Sequence, residues 1–146
     1  MIDHGTLAEQ NFRAGYNCAQ SVVLAFFDVT GLDDKTAAML ASSFGGGLGR
    51  MREVCGAVSG AAIVLGLVKG YADPEDREAK KAHYARVQEF ARSFKEKNGS
   101  IICRELLSGV NAEVGGDPEA RTDAYYQKRP CALLCRQAAE ILEKML

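Results

Sequence analysis

Apolar residues recur along most of the chain at intervals of three or four positions, which is the spacing of an amphipathic helix. The clearest stripe consists of His83, Val87, Phe90 and Phe94. Asp73-Pro74-Glu75 precedes this stripe, and a proline in the first helical position is typical of a helix start. Asn98-Gly99 follows it, and glycine commonly ends a helix. The pattern predicts one long helix between these signals, as far as Lys97.

Capping residues and glycines divide the rest of the chain into shorter helices. The stretch from Gly45 to Arg50 predicts a tight turn rather than an anion cradle, because it lacks the Lys and Ser/Thr of a P-loop. The predicted segments are Thr6–Ala14, Asn17 to Gly31, Asp33 or Asp34 to Phe44, short helices beginning at Ser100 and Asp117, and a last helix from Cys131 to Met145. The sequence therefore predicts an all-α fold, a single-domain bundle of roughly six to eight helices over residues 1–146.

The segment from Val54 to Val68 is rich in glycine, alanine and serine. A strand over Ala61 to Val68 is one interpretation, but the length of the segment and its spacing of small residues favour a buried helix. Gly56 and Gly60 lie four positions apart, on one helix face that another backbone can approach closely. We predict that this is the central helix of the bundle. Its small-residue face serves either internal packing or a homodimer, and the sequence leaves both open.

The composition is that of an ordinary globular protein, with 47% hydrophobic residues, 25% charged residues and a formal net charge of -1. Because the two signs are interspersed and no basic run occurs, no nucleic-acid partner is expected. The first residues lack the positive and apolar regions of a signal peptide, and the longest apolar run is too short to span a bilayer. We therefore expect a cytoplasmic protein without membrane insertion.

The chain contains five cysteines, and four of them fall where a predicted helix begins. These four are Cys18, Cys55, Cys103 and Cys131. The unpaired N–H groups and the dipole of a helix start favour the thiolate, which is the form that attacks and binds metals. Cys135 lies one turn inside the last helix, on the face of Cys131. Since permanent disulfides are uncommon in a reducing compartment, the repeated placement indicates redox or metal chemistry.

Three hypotheses are consistent with these four cysteines. In the first, the protein is a thiol-based redox protein, a thiol–disulfide oxidoreductase with an unknown redox partner. Cys55 is then the most reactive thiol, because its helix start and the nearby Arg50 and Arg52 favour its thiolate. One of Cys18, Cys103 or Cys131 resolves the mixed disulfide. In the second, the same four sulfurs bind zinc or an iron–sulfur cluster. In the third, they are small buried hydrophobic residues of an interaction module. Without a C-x-x-C or C-x-x-C-H motif, spacing does not decide among them.

Five elements of the sequence, taken in order, resemble one known family. They are Asn17-Cys18-Ala19-Gln20-Ser21, Gly45 to Arg50, Cys55-Gly56-Ala57-Val58-Ser59-Gly60, Cys103-Arg104-Glu105-Leu106-Leu107, and Cys131. In these elements the chain is similar to the C_GCAxxG_C_C family of redox-active proteins, over nearly its whole length. The resemblance implies a small, mostly helical bacterial or archaeal protein, often from an anaerobe, with four signature cysteines and a redox role. These correspond to Cys18, Cys55, Cys103 and Cys131, whereas Cys135 lies outside the pattern and is treated as auxiliary.

Overall fold

The computed structural model describes residues 1–146 and confirms the all-α prediction. It contains no β-strand, and its one β-type pairing is an isolated antiparallel bridge between Val54 and Ile102. The helices are α1 (His4–Arg13), α2 (Cys18–Ala25), α3 (Phe27–Thr30), α4 (Asp34–Ala41), α5 (Gly45–Leu48), α6 (Gly56–Lys69), α7 (Arg77–Asn98), α8 (Cys103–Leu106), α9 (Asp123–Lys128) and α10 (Cys131–Met145), with a 3-10 turn at Ser42–Phe44. Seven of the α-helices have six or more residues, and α3 and α8 are single turns. The segment labelled α5 is a left-handed turn rather than a true α-helix, because Gly46, Gly47 and Leu48 have positive φ values.

The predicted central helix is α6, which packs against α2, α7 and α10. Around it, α1 packs against both α2 and α10, and α4 covers another side of α2. The aromatic side chains Phe12, Phe26, Phe90 and Phe94 are buried between these helices. No helix combines the length and the apolar composition that a membrane span requires. This packing brings the N-terminal ends of α2, α6, α8 and α10 together at one end of the core.

The small-residue face of α6 is used inside the chain. A Cβ added at Gly60 would lie 2.7 Å from the carbonyl oxygen of Ala19 in α2. A Cβ added at Gly56 would lie 2.9 Å from the carbonyl oxygen of Phe44. Since α2 and the segment before α5 already occupy this face, it is not a surface on which a homodimer could form.

Several of the sequence-based elements differ from the structure. The helix predicted from Asn17 to Gly31 is divided at Phe26 into α2 and α3. The short helix predicted at Asp117 is absent, because Gly115 and Gly116 adopt positive φ values of 74° and 71° and the chain is held in a loop. The Gly115 N–H donates to the carbonyl oxygen of Arg50 at 2.8 Å, so a tertiary contact replaces helical hydrogen bonds there. The long helix α7 begins at Arg77 rather than beside Pro74, because the side chain of Asp76 accepts its capping hydrogen bond.

Candidate functional site

The four cysteines that were predicted at helix starts line one cavity of about 50 Å³. All four are buried, with at most 9% of each residue exposed. A cavity of this volume admits a few atoms the size of water, so it suits the reactive end of a small molecule. The remaining wall combines apolar and cationic side chains, including Phe12, Arg52, Leu106, Leu107, Arg121, Tyr125, Arg129 and Leu134.

Each cysteine reaches the cavity because a helix begins at or beside it. Cys18 is the first residue of α2, whose N-cap Asn17 and Gln20 form a reciprocal capping box. Cys131 is the first residue of α10 and follows Pro130. Cys103 opens α8, and Cys55 is the N-cap of α6 without a side-chain capping hydrogen bond. The structure thus confirms the predicted placement of all four at helix starts.

An antiparallel pairing holds the segments of Cys55 and Cys103 together. The Cys55 N–H donates to the carbonyl oxygen of Ile101 at 2.8 Å, and the Cys103 N–H donates to that of Glu53 at 2.6 Å. These two bonds flank the bridge between Val54 and Ile102. Helix periodicity could not reveal this pairing, because it joins two short irregular segments that are far apart in sequence.

The glycine-rich turn before Cys55 is confirmed, and it adopts an unusual left-handed backbone. Besides its glycines, Leu48, Arg50 and Arg52 have positive φ values of 69°, 67° and 60°. A non-glycine residue in this region costs about 1 to 2 kcal/mol, and such strain concentrates at functional sites. Here it directs the side chain of Arg52 inward, where its Nη1 lies 3.8 Å from the Sγ of Cys103.

A family model described as "Putative redox-active protein (C_GCAxxG_C_C)" matches residues 16–145 of the chain. The chain belongs to the C_GCAxxG_C_C family. No curated protein and no solved structure matches it. The family assignment agrees with the resemblance drawn from the five sequence elements, and it supports a redox role without specifying the chemistry of the cysteines.

In this C_GCAxxG_C_C protein, Cys18 has two other cysteines as neighbours. Cys131 and Cys135 have the largest effects of any residue on the pKa of Cys18. The Sγ of Cys135 also lies 3.8 Å from the carbonyl oxygen of Cys18. Cys135 is completely buried and does not line the cavity, so it lies behind the site rather than in it.

Burial keeps the thiols of this site protonated. Desolvation raises the pKa of Cys55 to about 12, although the N–H groups of Ala57 and Val58 oppose the shift. At Cys18, the nearby Cys131 lowers the pKa, but the combined opposing effects of Cys135 and burial exceed this, and the pKa lies well above its ordinary value. The nearby Cys18 thiol and then burial raise the pKa of Cys131 well above its ordinary value. The expectation that helix starts increase the thiolate fraction is therefore wrong for this conformation, because desolvation outweighs the helix dipole.

Cys103 is the cavity thiol that contacts a positive charge. Burial raises its pKa, but the hydrogen bond and the charge of Arg52 act to lower it. Arg52 does not have this effect at Cys55, where it was expected from the sequence. Arg50, the other expected partner of Cys55, instead donates from its Nε to the carbonyl oxygen of Gly115 at 2.9 Å. Of these two arginines, Arg52 therefore favours a thiolate at Cys103 rather than at Cys55, although burial still holds the pKa of Cys103 above its ordinary value.

The four thiols have the right chemistry for zinc or an iron–sulfur cluster, but their arrangement does not fit a metal site. No group of three or more His, Cys, Asp or Glu side chains is placed so that it could hold one metal ion. Zinc–sulfur bonds are about 2.3 Å long and require deprotonated ligands. The thiols would have to lose their protons and move closer together before they could form such a site.

Sequence reasoning missed three residues of the cavity wall, Arg121, Tyr125 and Arg129. The guanidinium of Arg121 lies 4.2 Å from the ring centroid of Phe12 and 5.0 Å from that of Tyr125. The guanidinium of Arg129 lies 4.8 Å from the ring of Tyr125. The position of Arg129, two residues before Cys131, was a usable signal. Arg121 offered none, because its loop reaches the cavity only through the tertiary fold.

Proposed function

We propose that the protein carries out thiol–disulfide exchange and that Cys18 and Cys131 are the pair that becomes oxidised. The observation that supports this most directly is that both thiols line one cavity, where each has the largest effect of any residue on the pKa of the other. Two neighbouring thiols form a disulfide once their sulfur atoms move to the S–S bond length of about 2.0 Å. Membership of a redox-active family agrees with this function.

The first attack is assigned to Cys103. Only a thiolate attacks a disulfide, and the guanidinium of Arg52 favours that form at Cys103. Cys55, with its pKa raised to about 12, is the poorer nucleophile in this conformation. We therefore expect Cys103, rather than Cys55, to attack the substrate disulfide. Both residues line the same cavity.

The exchange proceeds through three displacements on a small disulfide, RSSR. The Cys103 thiolate attacks one sulfur, the S–S bond of the substrate breaks, and one RS⁻ leaves and takes up a proton. Cys131 then attacks the Sγ of Cys103 and releases the second RSH. Finally, Cys18 attacks the Sγ of Cys131 and returns Cys103 to its thiol form. Two protein thiols and RSSR thus give one protein disulfide and two RSH, with two electrons passed to the substrate.

Oxidation of the reduced protein should produce a reversible disulfide between Cys18 and Cys131. We expect a loss of two hydrogen masses, and peptide mapping after thiol trapping should locate the link between these two residues. Cys18→Ala and Cys131→Ala should each abolish the link. Cys135→Ala is the matched control, because this thiol contacts Cys18 but does not line the cavity.

Two results would contradict this assignment. A disulfide between Cys18 and Cys135 would identify a different pair, and the absence of any reversible disulfide would remove the function itself. Metal analysis and a visible spectrum of the anaerobically purified protein test the alternative function, metal binding. Stoichiometric iron or zinc that is lost in Cys18→Ala or Cys103→Ala would replace thiol exchange by metal binding through the same sulfurs.

Replacement of Arg52 by glutamine should slow the reaction of Cys103 with iodoacetamide. Because the guanidinium lowers the pKa of Cys103, its removal raises that pKa, and the thiolate fraction at a given pH below it falls. We expect the rate at pH 8 to drop by about three- to tenfold and the pH profile to move to higher pH. Rates are followed by mass spectrometry of the peptide that contains Cys103.

Arg92→Gln is the control for this change, because Arg92 is exposed on α7 and does not line the cysteine cavity. An equal effect of both substitutions on the alkylation rate would mean that a general loss of positive charge, rather than the contact with Arg52, sets the reactivity of Cys103.

A further inference from the structure

A surface cleft of about 310 Å³ adjoins the cysteine cavity. Five side chains, those of Asn17, Arg52, Arg121, Tyr125 and Arg129, line both spaces. The outer part of the cleft is formed by the glycine-rich turn with Arg50 and by the loop that carries Gly116, Pro118 and Glu119. The cleft therefore lies directly beside the cavity of the thiols, and its volume is in the range of sites for small molecules.

The cleft carries a strong excess of positive charge, although the whole chain has a net charge of -1. Four arginines line it, whereas Glu119 is its one acidic residue. Arg129 is paired with Glu119. The other three, Arg50, Arg52 and Arg121, form no salt bridge in the structure. Three guanidinium groups without an anionic partner thus face one small space.

These three guanidinium groups are held in position by backbone carbonyl oxygens. Arg50 donates to Gly115 at 2.9 Å, and Arg52 donates to Glu113 at 2.9 Å. Arg121 donates to Phe12 at 2.9 Å and to Tyr16 at 3.1 Å. Neutral acceptors orient an arginine without cancelling its charge, and each guanidinium has five N–H donors. The arrangement is preorganised for the oxygens of a carboxylate or a similar anion.

We infer that this cleft binds the anionic part of the redox partner and that the partner is a low-molecular-weight disulfide or thiol bearing carboxylate groups. This inference rests on the proposed thiol–disulfide exchange and names its substrate class. The carboxylate lies among Arg50, Arg52 and Arg121, and the sulfur atoms extend into the cavity toward Cys103. Arg52 serves both parts of the site, because it lines the cleft and contacts the Sγ of Cys103.

Three small disulfides that differ mainly in charge test the inference. They are 3,3'-dithiodipropionate, which is anionic, bis(2-hydroxyethyl) disulfide, which is neutral, and cystamine, which is cationic. Each compound is used to oxidise the reduced protein. To correct for intrinsic reactivity, each rate is divided by the rate at which the same disulfide oxidises a free small thiol. We expect the anionic compound to react about tenfold or more faster than the cationic one, with a difference that shrinks as salt is added. Equal relative rates would overturn the inference.

Two substitutions in the cleft should act in opposite directions. Arg50→Gln should slow oxidation by the anionic disulfide about three- to tenfold, and Glu119→Gln should accelerate it, because the first removes a positive charge and the second removes the one negative charge. Neither should change the rate with the neutral disulfide by a comparable factor. Arg92→Gln is the matched control, since Arg92 is exposed on α7 and does not line the cleft.

A binding measurement separates failure of the inference from failure of the proposed function. Adipate resembles the anionic disulfide but has no sulfur, so calorimetric titration of the reduced protein with adipate reports only the cleft. We expect binding that Arg50→Gln weakens and Arg92→Gln leaves unchanged. Adipate binding without any disulfide exchange would retain the anion site and reject the exchange function. If the three disulfides oxidised the protein at equal relative rates and adipate did not bind, the exchange function would stand and the anion site would be rejected.

Discussion

Replacement of Gly47 by alanine should lower the free energy of unfolding by about 3 kcal/mol or more and disrupt the thiol site. Gly47 has a φ of 70°, where an alanine costs about 1 to 2 kcal/mol. Its added Cβ would also lie 2.7 Å from the Cβ of Cys103, 2.7 Å from the nitrogen of Glu53 and 2.8 Å from the Cα of Arg52. Overpacking of this kind costs a further 1 to 3 kcal/mol, roughly. Denaturant unfolding measures the loss of stability.

The matched control for this change is Gly49→Ala. Gly49 belongs to the same turn and has a φ of 55°, but a Cβ there meets no atom within 4 Å. It should cost only the backbone strain, about 1 kcal/mol, and leave the oxidation of Cys18 and Cys131 intact. In Gly47→Ala, by contrast, Arg52 and Cys103 must shift, so alkylation of Cys103 should slow as well. Similar losses of stability in the two variants would show that the contact with Cys103 contributes nothing.

Replacement of Gly60 by alanine should destabilise the protein by about 2 to 4 kcal/mol, even though alanine is the better helix former. The added Cβ would lie 2.7 Å from the carbonyl oxygen of Ala19 and 3.1 Å from its Cα. Since both contacts are with backbone, α6 and α2 would have to move apart, and the core between them would lose packing. The gain in helix propensity, about 1 kcal/mol, is smaller than this loss. Thermal and urea unfolding report the difference.

Gly66→Ala is the control in the same helix, and it should raise the free energy of unfolding rather than lower it. No atom lies within 4 Å of a Cβ at Gly66, so only helix propensity and chain entropy change. We expect the free energy of unfolding to rise by about 0.5 to 1 kcal/mol. If Gly60→Ala also stabilised the protein, α2 and α6 would not be in close contact in solution.

The successful predictions came from short-range patterns. The stripe from His83 to Phe94 indicated α7, and the capping residue Asn17 indicated the start of α2. Such signals depend on neighbouring residues, so they can be read from the chain alone. The predicted helix at Asp117 was wrong because a hydrogen bond from Gly115 to Arg50, between segments far apart in sequence, determines that loop.

The pKa values of the thiols likewise depend on the tertiary structure and not only on the local sequence. A helix start favours the thiolate in isolation, but burial depends on what packs over each cysteine, and burial determines the direction of the shift at Cys55. Likewise, sequence proximity suggested that Arg52 acts on Cys55, whereas the left-handed turn directs it to Cys103. Desolvation and side-chain direction are properties of the assembled core, and no local pattern contains them.

The sequence by itself determined that the protein is all-α, that Gly56 and Gly60 form a close-packing face, and that Cys18, Cys55, Cys103 and Cys131 stand at helix starts. Periodicity, capping and small-residue spacing are local, so they carry this information. Only the tertiary structure decided that these four thiols share one cavity, that Arg121 and Arg129 line it, and that a cationic cleft adjoins it. These features arise where distant segments meet, and their geometry depends on packing between helices rather than on the order of residues within them.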